Sequence, residues 1–248
     1  MAILIRWLSS VPSALSFVLI VAVWEAVALG AMAFARSWSR RRSLAQGQPL
    51  VSAWATIAGA LCGLLFAFVI ATLWGQLRTT ARDLDREAAA IRITSRDLAP
   101  ASAPLLRSYV SATLAEWSSL CGGGSFAASG NDLAQLQNNA APKSAALAGD
   151  LSQQLGALER ARFYRLQSGR PTIPYEVWTA LVVLALATIA VLALANPDRL
   201  SYHLVLTLVI GAELGVLFWV LALLEMPFCG KTGIGSAPIL DALHALRG

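Results

Sequence analysis

Four stretches of this chain are each long and apolar enough to cross a bilayer. Residues 11–35, 51–76, 175–195 and 202–225 reach or exceed the roughly 20 residues that a membrane-spanning helix needs. Lipid offers no partner to a bare peptide group, so stretches of this kind are helices whose backbone bonds close internally. Tryptophans mark the limits. Trp38 and Trp54 flank the first hairpin turn, and Trp74 and Trp178 stand at the opposite ends, as amphipathic rings do at membrane interfaces. The first stretch is too long for the h-region of about 7–15 residues in a secretory signal, despite the cleavage-like Ala31-Met32-Ala33.

The remainder sorts around these spans. Residues 1–76 hold the first hairpin, 77–174 a soluble segment, 175–226 the second hairpin and 227–248 a C-terminal segment. Pro171 and Pro174 introduce span three, Asn196-Pro197-Asp198-Arg199 makes the turn to span four, and Pro227 ends span four. Within the soluble segment, Leu84, Ala88 and Ile91 recur at helical spacing among charged neighbours. Leu106, Tyr109, Val110, Thr113, Leu114 and Trp117 form a second stripe, and Leu147, Leu151, Leu155 and Leu158 a third. Cys121 opens a flexible break, Gly122-Gly123-Gly124-Ser125. Strand-like alternation is absent, so the expected fold class is all-α, a polytopic membrane protein with a helical soluble segment between spans two and three.

Charge bears on orientation. A net charge of +5 in a chain that is 57% hydrophobic speaks for topology and anionic lipid rather than for nucleic acid. Near the membrane, the side holding both termini and the soluble segment has ten basic residues: Arg6, Arg78, Arg82, Arg86, Arg92, Arg160, Arg162, Arg165, Arg170 and Lys231. The other side has five, Arg36, Arg40, Arg41, Arg42 and Arg199, and among them the densest cluster. Cys62, Cys121 and Cys229 make neither a disulfide framework nor a zinc pattern and leave the redox compartment open.

Two features could carry function. In span two, Ala55, Gly59, Gly63, Ala67 and Ala71 recur every fourth residue, and Gly211 and Gly215 repeat the device in span four. Small residues at this spacing let helices approach closely, either inside one chain or around an oligomer axis. Glu25 and Glu213 lie near mid-span, with no lysine or arginine at matching depth. Each is either a protonated, hydrogen-bonded group or part of an ion or proton path. Gly230-Lys231-Thr232 lacks the first glycine of a phosphate loop, and His203 and His244 stand apart. We expect no catalytic constellation, no metal site and no cofactor.

Two stretches carry a resemblance. Leu224-Glu225-Met226-Pro227-Phe228-Cys229-Gly230, followed by Ala237-Pro238 and Leu240-Asp241-Ala242-Leu243, resembles the close of the last span in the bacterial bestrophin-like membrane family. Phe66-Ala67-Phe68, Trp74-Gly75-Gln76, Arg82, Arg86-Glu87-Ala88, Tyr109 and Glu116-Trp117 extend the likeness. That family is similar, at greater distance, to the bestrophins, pentameric anion channels with four spans per subunit and cytoplasmic termini. The resemblance implies a homo-oligomer, a pentamer first, in a bacterial inner membrane, with termini and soluble segment cytoplasmic and span two along a pore for small ions. It sets Thr56, Ala60 and Leu64 at the heights of the pore constriction, where only Leu64 is bulky. The acidic cluster that binds calcium in animal bestrophins is missing, with Lys231, Gly233 and Gly235 in its place. The competing expectation is a non-conducting membrane scaffold or accessory subunit that presents its soluble helices to a partner.

Overall fold

In the computed structural model, the structure describes residues 12–39, 48–122, 125–168, 173–194, 200–229 and 233–246. They form α1 (Ser13–Ser39), α2 (Gln48–Asp97), α3 (Ala103–Ala115), α4 (Ser119–Gly122), α5 (Ala127–Asn139), α6 (Ala148–Ser168), α7 (Tyr175–Leu194), α8 (Leu200–Glu225) and α9 (Ala237–Ala245). Among the described residues there is no strand, and the one β-bridge joins Leu98 to Pro142. Four helices, α1, α2, α7 and α8, are long and apolar enough to span a membrane. The protein is an all-helical membrane protein.

The chain divides into two compact units. The first takes residues 1–74 and 172–225, the second 75–171 and 226–248. The sequence reading set 227–248 apart, whereas the structure groups it with the soluble helices. The division after residue 74 lies close to the boundary read near residue 76, and α2 runs through it without a break. Gly75 is the one strong helix breaker there, and a lone glycine costs only about 1 kcal/mol in a helix.

In the first unit, α1 and α8 lie antiparallel in close register. Trp219 Nε1 donates to Ser16 Oγ at 3.3 Å, and at the other end Arg36 Nε donates to His203 Nδ1 at 3.4 Å. Between them the two glycines of α8 let α1 come close. A Cβ added to Gly215 would stand 2.7 Å from Val21 Cα, and one added to Gly211 would stand 2.7 Å from Glu25 Oε2. Lipid tails are as apolar as the side chains, so helices in a membrane associate through contact rather than through flight from water. Missing Cβ atoms supply that contact. Phe218 gathers the unit: its ring stacks on Trp24 of α1 at 4.5 Å, meets Phe66 of α2 edge-on at 5.1 Å and lies 6.2 Å from Trp178 of α7. One side chain of span four thus touches all three other spans.

The second unit has its own core. Leu84, Ala88 and Ile91 of α2 pack with Leu106, Tyr109 and Val110 of α3, Leu133 and Leu136 of α5, Leu151, Leu155 and Leu158 of α6, and Ile239, Ala242 and Leu243 of α9. Helix α5 carries no stripe noted in the sequence. Its buried side chains are three, Ser129, Leu133 and Leu136, too few to raise an apolar period.

Replacing Gly215 with leucine drives a side chain into the backbone of α1 at Val21. Overpacking of this kind costs about 1–3 kcal/mol or more. We expect a lower melting temperature in detergent for Gly215→Leu, read by tryptophan fluorescence, and a near-parental one for Gly30→Leu, where no atom lies within 4 Å of an added Cβ.

Candidate functional site

Span two has two faces. Cys62, Phe66, Val69 and Leu73 are buried inside the first unit. The small-residue stripe winds away from that face, with Ala55 and Gly59 half-buried and Gly63, Ala67 and Ala71 exposed. No atom lies within 4 Å of a Cβ built on Gly59 or Gly63. Thr56, Ala60 and Leu64 lie exposed beside the stripe, Leu64 at 68%. The two glycine pairs therefore differ. Gly211 and Gly215 are filled from within the chain, and Gly59 and Gly63 are not.

The two intramembrane acids part in the same way. Glu25 is half-buried, its Oε2 wedged where Gly211 lacks a side chain, and that oxygen has no hydrogen-bond partner among the described residues. Glu213, two residues on from Gly211 and on the far side of α8, is exposed. A charge facing lipid costs roughly 2.5–3.5 kcal/mol on the mildest scale, so Glu213 requires water or a neighbour.

The motif after span four is positioned by its ends. Glu225, buried at the last turn of α8, accepts from the backbone N–H of Ile173 at 3.0 Å and so holds the chain as it enters α7. In the second unit, Phe228 meets Trp117 edge-on at 5.6 Å. Ile234 N–H donates to Pro227 O at 2.6 Å. Gly233 lies so near that a Cβ on it would sit 2.7 Å from Cys229 O, which leaves room for glycine alone. Gly230 lies outside the described residues. Cys229 is disulfide-bonded, whereas Cys62 is free and buried. The scattered cysteines that the sequence left without a pairing thus include a bonded one.

The second unit also contains a site that sequence reading did not assemble. Arg165 of α6 donates from Nε to Glu87 Oε2 of α2 at 2.7 Å, with both side chains fully buried. Tyr109 Oη of α3 donates to Glu87 Oε1 at 2.6 Å. The Arg165 guanidinium carbon lies 6.0 Å from the centre of the Trp117 ring. Nη1 and Nη2 of Arg165 are buried with no partner among the described residues. Burial opposes the charge on Arg165, but the Glu87 carboxylate outweighs it and holds the guanidinium above its ordinary value. Burial first, and the Glu87 charge next, push the Tyr109 hydroxyl far above its own. Beside this cluster in sequence, Glu116 Oε1 accepts from Ser129 N–H at 3.1 Å, and Arg162 Nη2 donates to Phe126 O at 2.7 Å, which together fix the start of α5. Arg86 remains on the surface, paired with Asp83 at 2.7 Å.

The signal for this site was present in the sequence. Glu87 falls on the Leu84–Ala88–Ile91 stripe, and Arg165 continues Leu151–Leu155–Leu158–Ala161. A charge on an apolar stripe is a buried charge, and a buried charge needs a partner. Among the described residues no group of histidine, cysteine and acidic side chains could hold a metal ion.

Four spans, an aromatic hub and a separate helical unit locked by a buried ion pair define a polytopic membrane protein with a folded soluble module. The family model of the Bestrophin-like domain matches residues 22–239, and the chain belongs to that family. Among solved structures it is similar to two single-substitution variants of a bacterial bestrophin homologue from Klebsiella pneumoniae. The first has 15% identity and a TM-score of 0.66, the second 16% and 0.64, each covering 93% of this chain and 97% of the other. A further structure of a bacterial bestrophin homologue from Klebsiella pneumoniae, solved by zinc phasing, matches at 13% identity with a TM-score of 0.54, over 92% of this chain and 96% of that one. At these identities the likeness is one of fold. No curated protein matches the chain in sequence.

Breaking a buried pair by removing one partner costs about 3–5 kcal/mol, whereas apolar replacement of both is often near neutral. We expect Arg165→Met to destabilise the soluble unit by that amount and Glu87→Leu with Arg165→Met to recover most of it, measured by chemical unfolding in detergent.

Alkaline stability tests Tyr109. Its hydroxyl ionises near pH 10 in the unfolded chain and well above that in the fold. The stability it contributes is therefore complete below that pH and is lost as pH rises further. Tyr109→Phe should lower stability at neutral pH and flatten the decline above about pH 10, read as the pH dependence of the unfolding midpoint.

Proposed function

We propose that this protein is the subunit of a homo-oligomeric ion channel, with five copies favoured and the small-residue face of span two lining or adjoining the axis. The observation that carries this reading is the asymmetry of span two. One face, with Cys62, Phe66, Val69 and Leu73, is buried in its own chain, while a Cβ on Gly59 or Gly63 in the small-residue stripe would meet no atom within 4 Å, and Leu61, Leu64 and Phe68 are exposed as well. A helix surface of this kind is suited to close approach by a second copy. Family membership supports it further. Glu213, exposed in a single chain, is placed to meet water or a neighbouring copy, and Glu25, wedged against Gly211, is a packing group. No catalytic role is assigned to any residue, and the chain is read as a non-enzyme in a bacterial inner membrane. The channel reading holds for either orientation.

Thr56, Ala60 and Leu64 are the proposed pore-facing set. With Leu64 as the one bulky side chain among them, a closed hydrophobic neck is not part of the proposal. That same openness is what favours the second reading, a non-conducting scaffold. Purified protein in a planar bilayer separates the two, with single-channel currents for the first and a silent membrane for the second. For assembly we expect one oligomeric species by mass photometry in mild detergent, and dissociation to smaller species for Gly63→Leu. A monomeric parent protein would refute the proposal.

A further inference from the structure

We infer that the groove between spans one and three binds an anionic phospholipid, one acyl tail lying in the groove and the head held by the positive charge at that end of the membrane. The groove is a cavity of about 400 Å³ within the membrane unit. Ala31, Phe34, Ala35 and Trp38 of α1 line it from one side, and Ala190, Ala193 and Leu194 of α7 from the other. Alanine makes the space. Ala31 and Ala35 stand one turn apart on α1, and Ala190 and Ala193 nearly so on α7, so the two helices face each other with side chains that stop at Cβ. Phe34, Trp38 and Leu194, the bulky members, are exposed, and the rings of Phe34 and Trp38 lie 5.9 Å apart. The α1 side runs for about 10 Å along the helix.

The lining names the class of occupant. It is alanine, leucine and aromatic carbon, inside two helices that are apolar enough to cross a bilayer, so an acyl tail rather than water competes for it. A second copy is served by another surface, since α2 contributes nothing to this groove. The tail alone does not select a lipid. Surrounding tails are as apolar as the groove, and exchange between them gains little. Selection falls to the head.

The charge at this end is positive. The connections at residues 36–47 and 195–199 contain five arginines, Arg36, Arg40, Arg41, Arg42 and Arg199, against one acid, Asp198. Arg36 lies in the last turn of α1, one residue beyond the lining Ala35, and donates from Nε to Nδ1 of the fully buried His203 at 3.4 Å. Helices α1 and α7 both end here, and each C-terminus brings roughly half a negative charge. Those partial charges and Asp198 are outnumbered by the arginines. Trp38 sits at the depth where amphipathic rings meet lipid heads. A phosphodiester head without an amine gains the full attraction, whereas an ethanolamine head carries its own cation and gains less. Each basic residue near a membrane surface is worth roughly a fivefold preference for anionic lipid. Neither conduction nor orientation bears on this site.

Purified full-length protein, delipidated in mild detergent, is titrated with palmitoyl-oleoyl phosphatidylglycerol or the matching phosphatidylethanolamine. Native mass spectrometry counts the lipids bound. We expect phosphatidylglycerol to be retained, one per chain, over phosphatidylethanolamine by about fivefold or more. That preference should shrink as ionic strength rises and in Arg36→Gln. Ala190→Trp, at an exposed position of α7, fills the groove and should lose the retained lipid while keeping parental helicity. Equal retention of the two lipids by the parent protein would overturn the inference. So would parental retention in Ala190→Trp. If Ala190→Trp loses helicity, Arg36→Gln and the salt series decide: a preference that neither one lowers overturns the inference as well.

Discussion

The bilayer withdraws the usual reason for helices to associate, and the membrane unit is arranged around that loss. In lipid, an apolar face gains little by turning toward another apolar face. What remains is the quality of contact. The α1–α8 pair shows how it is obtained. Gly211 and Gly215 remove the atoms that would keep the helices apart, and α1 comes in until a single Cβ would no longer fit. Phe218 then makes ring contacts with Trp24, Phe66 and Trp178, so all four spans meet at one residue. The polar contacts, Trp219 with Ser16 and Arg36 with His203, set the register of α1 along α8.

The soluble unit works under the opposite rule. Water drives its apolar stripes together, and the core it forms is ordinary in composition. Its distinguishing feature is the charge placed inside that core. Glu87, Arg165 and Tyr109 come from three separate helices, and each satisfies another. A carboxylate and a guanidinium buried together are costly to separate, so few alternative packings of α2, α3 and α6 keep both paired. The pair thereby favours one arrangement of these helices over others.

The spans were legible because hydropathy acts over twenty residues at a time and needs no knowledge of neighbours. The stripes of α3 and α6 were legible for the same reason, through their period. The ion pair was not read, although Glu87 and Arg165 each stood on an apolar stripe. The stripes told that each was buried, but the partner lay 78 positions away in the chain. Glycine was ambiguous in the same sense. Gly63 and Gly215 look alike in sequence, and only the packed chain shows that one meets Val21 while the other meets nothing. In α2 the change from apolar to charged composition after Trp74 does not end the helix. It marks a change of solvent around one helix.

The soluble core is built from two pieces of chain with the second hairpin between them. Its first helix, α2, ends at Asp97, and Ile239, Ala242 and Leu243, more than 140 positions further along the chain, are buried in the same core. Arg107 also reaches the carbonyl of Leu246, two bonds from its guanidinium at 3.1 and 2.7 Å. During synthesis this core cannot be completed until spans three and four and then α9 have been made. Completion of the soluble unit therefore follows synthesis of the second hairpin. A chain stalled or cut before residue 236 would display an unfilled apolar surface, the mark by which cellular quality control finds incomplete proteins.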